Sequence, residues 1–277
     1  MLMHTDDLHY CDPHIGMAES DTIQGPYAFV GPLLYKGEPI RRWDMGSFVD
    51  DDGTCYLLTH EGDIYRLSED CMEAVELVIK DFSPGGESPA CFKRDGIYYM
   101  LLSNKTSWER NDNYYYIATD LHGPWTYKGL FCPKGTLTYN TQCSFVLDYD
   151  SEQGIVPIYV GDRWSFPRQR DAATLVLLPI EVENGEIKIS QHRRAWHPDT
   201  LENMKLPEAQ LLAFRSNQKG KSCILSFHGT RVLLFGHTDA QGGYAEIDIL
   251  DATGKCVHHN TADFYSLVPD QGLRYVS

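Results

Sequence analysis

The sequence predicts an all-β protein in which propeller blades stack in series ahead of a partial β-sandwich. Three observations lead there. Helical periodicity is almost absent, and short apolar or alternating runs are punctuated by Asp-Gly, Gly-Pro, Asn-Gly and Gly-Gly pairs, the pattern of strands joined by tight turns. Composition agrees, since 17 Tyr, 11 Phe and 23 Gly in 277 residues favour strands and turns over helices. The third observation is repetition at the length of one blade.

The repeats order the elements. WDMGSFVDDDGTCYLL (43–58) overlays GESPACFKRDGIYYML (86–101) without a gap at an offset of 43, so that Asp52-Gly53 falls on Asp95-Gly96. Gly-Pro-aromatic elements beginning at Gly25 and Gly123 lie 98 residues apart, and the same offset carries Asp44 onto Gln142. Each unit reads as a polar residue, an apolar strand, an Asp-Gly type hairpin, a second apolar strand, and a strand closing near a Gly-Pro-aromatic turn. Such units bury their faces by radial stacking. Inner strands are expected at 44–50, 87–93 and 142–148, with a degenerate fourth in AATLVLLPIEV. AWHPDTLENMKLPEAQ then interrupts the strand pattern with polar residues and prolines, which suggests a boundary there. The expected domains are a propeller over 1–198 and a partial β-sandwich over 208–277.

Charge and hydropathy exclude several functions. A formal charge of −15 with a pI near 5.1 argues against a nucleic-acid partner, because displacing phosphate counterions needs a basic surface. Apolar runs such as 172–180 fall well short of the roughly 20 residues of a membrane span, so no membrane partner is expected. MLMHTDDLHY lacks a basic segment followed by an apolar one; no secretory leader is read there, and a complete chain of this kind would be cytoplasmic. The eight cysteines are scattered without a C-x-x-C pair and read as buried free thiols.

The repeat register also selects chemistry. Asp44, Glu87 and Gln142 occupy equivalent positions at the starts of successive inner strands, which in a propeller converge near the axis. Two carboxylates and an amide brought together can serve acid/base hydrolysis of a glycosidic bond; the bland alternative is that they cap strands or turns. Apolar and small neighbours around Glu87 could raise its pKa, while Arg41 and Arg42 would hold Asp44 ionised. Tyr10, Trp43, Trp108, Tyr139 and Trp164 could stack on sugar rings or simply pack. His4, His9 and His14 share no helix face, H-E-x-x-H and Cys/His clusters are absent, and no metal or cofactor is expected. Asp50-Asp51-Asp52 before Gly53 reads as a hairpin turn.

Together RRWDMGSFVDDDGTCYLL, GGESPACFKRDGIYYMLLSN, NDNYYYIATDLHGPW, TYNTQCSFVL and YVGDRW resemble glycoside hydrolase family 43, in the branch that contains exo-β-1,3-galactanases. The resemblance covers residues 1–195. It implies a five-bladed β-propeller, here with its first blade largely missing, and an inverting hydrolase that cuts terminal β-1,3-linked galactose from an oligosaccharide or polysaccharide. By the same resemblance Glu87 is the general acid, Asp44 tunes and positions it, and Gln142 lies where the water is activated. Tyr10 matches a tyrosine near the sugar subsite and Thr106 is expected as a further contact, while Trp43 and Trp164 are expected substrate contacts as aromatic residues flanking these segments. Two other readings stay open: a non-catalytic carbohydrate-binding propeller, and a family 43 arabinosidase or xylosidase. The oligomeric state is open as well.

Overall fold

The computed structural model describes residues 1–107, 110–152, 154–163, 174–205, 214–230, 232–266 and 269–276. The protein is all-β, and the described residues fall into two units, one up to His192 and one from Arg193 onward.

In the first unit, β1 (Leu2–Thr5), β2 (His14–Glu19) and β3 (Ala28–Pro32) form a three-stranded antiparallel sheet. The second sheet contains β4 (Leu34–Tyr35), β5 (Glu38–Pro39), β6 (Met45–Val49), β7 (Cys55–Thr59), β8 (Asp63–Leu67) and β9 (Glu73–Ile79), in the order β5-β4-β9-β8-β7-β6. The third is the meander β10 (Gly86–Arg94), β11 (Ile97–Asn104), β12 (Tyr114–Ala118) and β13 (Thr126–Leu130). The fourth is β14 (Gln142–Ser151), β15 (Gly154–Arg163) and β16 (Thr174–Pro179), followed by the small hairpin β17 (Glu181–Glu183) and β18 (Glu186–Lys188).

The turn chemistry explains the hairpins. Asp95 and Gly96 both take positive φ, 51° and 75°, as the two-residue turn between Arg94 and Ile97 requires. Asp52-Gly53 closes β6–β7 with Gly53 at φ 84°. The two Gly-Pro repeats occupy the same place, entering β3 and β13.

Packing shows why β11 is a continuous apolar run. Tyr98, Met100 and Leu102 pack with Phe48, Leu58, Ile64 and Val78 of the second sheet. Tyr99 and Leu101, on the other face, pack with Val146, Tyr159 and Leu178 of the fourth. A strand covered on both faces loses the polar alternation of an exposed one. Leu101 and Leu102 are both 0% exposed, and each such side chain stabilises the fold by about 1.5–3 kcal/mol. A third cluster, with Ile15, Leu33, Leu57 and Tyr65, joins the first sheet to the second.

Two expectations are corrected. AATLVLLPIEV does not open a new blade: residues 174–179 are β16, the third strand of the fourth sheet, paired with β15 from Arg163↔Thr174 to Ile158↔Pro179, and residues 181–182 already belong to β17. The cysteines are not uniformly buried: Cys91, Cys132 and Cys143 are, Cys55 and Cys71 are half-buried, and Cys11, Cys223 and Cys256 are exposed.

In the second unit β19 (Leu233–Thr238) pairs with β22 (Asp270–Val276), and β20 (Tyr244–Leu250) pairs with β21 (Cys256–Asp263). No helix among the described residues is long and apolar enough to cross a membrane.

Candidate active site

Asp44 immediately precedes β6, Glu87 is the second residue of β10 and Gln142 the first of β14. Two local features bring the first two together. Gly46 lets β6 approach β10 closely: a Cβ there would stand 2.2 Å from the Pro89 carbonyl oxygen, a contact no side chain tolerates. Ser88, at φ 50°, opens a bulge between Glu87 and Ala90 that turns its N–H outward. That N–H donates to Asp44 Oδ2 at 3.0 Å, and the Ser88 hydroxyl donates to the same oxygen at 3.4 Å.

Gln142 completes the group. Its Nε2 donates to Glu87 Oε1 at 2.9 Å and to Ser103 Oγ at 2.9 Å. Ser103 lies opposite Glu87 in the β10–β11 register, and Glu87, Gln142 and Ser103 are all buried. Gln142 is held by an unusual lead-in, since Leu137, Thr138, Tyr139 and Asn140 all have φ between 52° and 62°. Left-handed backbone costs about 1–2 kcal/mol per non-glycine residue, so it persists only where the surroundings over-determine it. Here they do. The Asp112 carboxylate accepts the Gly135 and Leu137 N–H groups at 2.7 and 2.8 Å. Thr138 Oγ1 accepts the Asn113 N–H at 2.7 Å and donates to the Asn111 carbonyl at 3.0 Å.

The electrostatics separate the two carboxyls. Burial, then the charge of Asp44, pushes the Glu87 pKa up to about 7, against the hydrogen bond from Gln142, the Lys105 ammonium and the Thr106 N–H. Burial also raises Asp44, opposed by the Ser88 N–H and hydroxyl and by His4 and Lys105. Glu87 therefore carries its proton toward neutral pH while Asp44 supplies the negative charge that raises it, the arrangement a general acid needs.

Around this pair stands a wall that the repeats alone did not reveal. Trp43 stacks on His60 with ring centroids 3.9 Å apart, and Lys105 Nζ lies 4.9 Å from the Trp43 centroid. Glu61 bonds Lys105 Nζ through one oxygen and accepts the Gly85 N–H at 2.5 Å through the other. Burial, then Lys105 and Arg42, pushes the His60 pKa down to about 4, so its ring is neutral. A sequence signal for His60 and Ser103 existed. A hairpin returns its second strand beside the start of its first, so Asp44 faces His60, whose N–H donates to the Asp44 carbonyl at 3.2 Å, as Glu87 faces Ser103 and Gln142 faces Asp162.

Several expected residues stand elsewhere. The arginines do not pair with Asp44: Arg42 donates to the fully buried Asp63 at 2.6 and 3.1 Å, and Arg41 pairs with Asp12. Asp63 has no exposed surface and so depends on a protein cation for its second oxygen, its first accepting the Asp81 N–H at 2.8 Å. Tyr10 is 78% exposed in the loop before β2 and shares no hydrogen bond with the group. Thr106 takes part through its backbone N–H on Glu87, while its hydroxyl accepts Asn111 Nδ2 at 2.8 Å. The Tyr139 hydroxyl donates to the Ile189 carbonyl at 3.0 Å. Trp108 and Trp164 lie outside the described residues.

Comparison with known proteins points to a family of glycoside hydrolases. The profile described as Glycosyl hydrolases family 43 matches residues 3–138. A candidate exo-beta-1,3-galactanase from Bifidobacterium bifidum s17 is 36% identical with a TM-score of 0.60, over 69% of this chain and 66% of its own. An exo-beta-1,3-galactanase from Clostridium thermocellum is 25% identical with a TM-score of 0.58, over 66% of this chain and 43% of its own. An exo-beta-1,3-galactanase from Phanerochaete chrysosporium, crystallised with beta-1,3-galactotriose, shares the fold at 21% identity and a TM-score of 0.63, over 94% of this chain and 55% of its own. The chain thus spans less than two-thirds of the length of these structures. No curated protein matches it. The chain belongs to glycosyl hydrolases family 43.

Proposed function

We propose that this protein is an inverting, exo-acting glycoside hydrolase that releases galactose from β-1,3-linked galactan chains. The observation that carries the reading is Glu87, buried, raised to about 7 beside Asp44 and fixed by Gln142 at 2.9 Å. Gln142 Nε2 and the Thr106 N–H hold in place the carboxyl that carries the proton. Protonated Glu87 gives that proton to the glycosidic oxygen as the bond to the anomeric carbon breaks. Water attacks from the opposite face in a single displacement, which inverts the anomeric centre. Asp44 keeps the proton on Glu87 through its charge, and the Gln142 amide orients the water once sugar occupies the site.

Galactan as substrate is supported by the likeness to the Bifidobacterium and Clostridium structures. In the same reading the successive sheets are blades of a five-bladed propeller, residues 208–277 form an accessory sandwich module, and Tyr10, Trp43, Thr106 and Trp164 contact the sugar. The test is incubation of the protein with β-1,3-galactan and with chromogenic galactosides, arabinosides and xylosides. Galactose released residue by residue supports the proposal. Pentose release would reassign the substrate, and galactose binding without product would make this a carbohydrate-binding protein.

A further inference from the structure

We propose that Lys105, clamped by Glu61 and laid on Trp43, is a positioning residue that sets the pH at which Glu87 delivers its proton. The inference rests on Glu87 being the proton donor of the hydrolase proposed above.

Its placement follows from the sheet. β11 ends at Asn104, opposite Gly86, and the Lys105 N–H donates to the Gly85 carbonyl at 3.1 Å. Lys105 therefore leaves the strand two residues beyond Ser103, the register partner of Glu87, and one residue before Thr106, whose N–H reaches the Glu87 carboxylate. A lysine at such a rim ordinarily samples many rotamers. This one is fixed at three points: its own N–H on Gly85, its ammonium on Glu61, and the indole of Trp43 at 4.9 Å, an attraction between a cation and a ring face. Glu61 is itself fixed. It sits at φ 65°, its carbonyl accepts the Ser83 N–H at 3.0 Å, and its second oxygen holds Gly85.

The charges facing the acid can be named element by element. Asp44, leading into β6, is negative; Glu61, after β7, is negative and spent on Lys105 and Gly85; His60 beside it is neutral and stacked on Trp43. His4 on β1 faces Asp44, Gln142 on β14 and Ser103 on β11 are neutral, and Arg42 is committed to Asp63 and Asp81. Among the described residues, Lys105 is a fixed cation whose field reaches both Asp44 and Glu87. It opposes the proton on each.

The test compares Lys105→Met and Lys105→Arg with the unaltered protein, by carbon-13 NMR titration of the Glu87 carboxyl and by the pH profile of kcat/KM on β-1,3-galactan. Lys105→Met is expected to raise the Glu87 midpoint and the basic limb together by about half a pH unit, and Lys105→Arg to restore both. A Glu87 midpoint unmoved in Lys105→Met overturns the proposal, as does a loss of rate at every pH without displacement of the limb, which is what a merely structural lysine gives. Because the NMR titration needs no turnover, it judges Lys105 even if the unaltered protein cleaves nothing, an outcome that would sink the hydrolase reading instead.

Discussion

Replacing Glu87 by Gln should stabilise the protein at alkaline pH while abolishing its chemistry. The folded-state pKa is pushed up from 4.5 to about 7, so between those values the folded chain binds a proton that the unfolded chain has released. Stability therefore falls as pH rises through this window, and above it the whole penalty for ionising a buried carboxyl beside Asp44 is present. At 1.36 kcal/mol per unit the shift corresponds to about 3 kcal/mol, and screening by water at the site mouth reduces this to about 2 kcal/mol. A glutamine keeps the oxygen that accepts from Gln142 Nε2 but never ionises. The assay is urea unfolding of both proteins from pH 4 to pH 9. The two curves should lie close together near pH 4 and separate to about 2 kcal/mol in favour of Glu87→Gln above pH 8. Curves that stay parallel across the window would refute the assignment of a strained, high-pKa acid to this position.

Two further substitutions probe the same group. Asp44→Asn removes the charge that helps hold the proton on Glu87, so a pH–rate profile should show the basic limb moving down by about one unit, with a rate at the optimum lower by roughly 100-fold. Gly46→Ala places a methyl where the Pro89 carbonyl stands; it should destabilise by about 1–3 kcal/mol in denaturant titration and, by moving Asp44 off Ser88, lower kcat by up to about 100-fold.

Much of this site was legible in one sequence because a repeat protein places equivalent residues at equivalent points. The offset of 43 aligned Asp44 with Glu87, and the offset of 98 added Gln142, before any coordinate was known. The Asp-Gly pairs located the hairpins: Asp95-Gly96 takes positive φ at both central positions of a two-residue turn, and Gly53 supplies the positive φ in the longer loop between β6 and β7. What escaped was what depends on contacts between units. Arg41 and Arg42 stand beside Asp44 in sequence, yet the β6–β8 fold offers Arg42 the deeper charge of Asp63. Lys105 joins the site through Glu61 and Trp43 of the neighbouring unit, and the Ser88 bulge through a local positive φ, neither of which hydrophobic periodicity encodes. The run AATLVLLPIEV misled for a related reason: an apolar run does not by itself tell an outer strand from an inner one, and Leu175 and Leu177 of this one stay exposed.

The central claim is that Glu87 is the acid of an inverting galactosidase, and the most direct measurement is proton NMR of the sugar as it leaves β-1,3-galactan. The account predicts that α-galactose appears first and mutarotates to the equilibrium mixture, and that Glu87→Gln, still folded, releases none. Initial appearance of β-galactose, or undiminished release by Glu87→Gln, would contradict it.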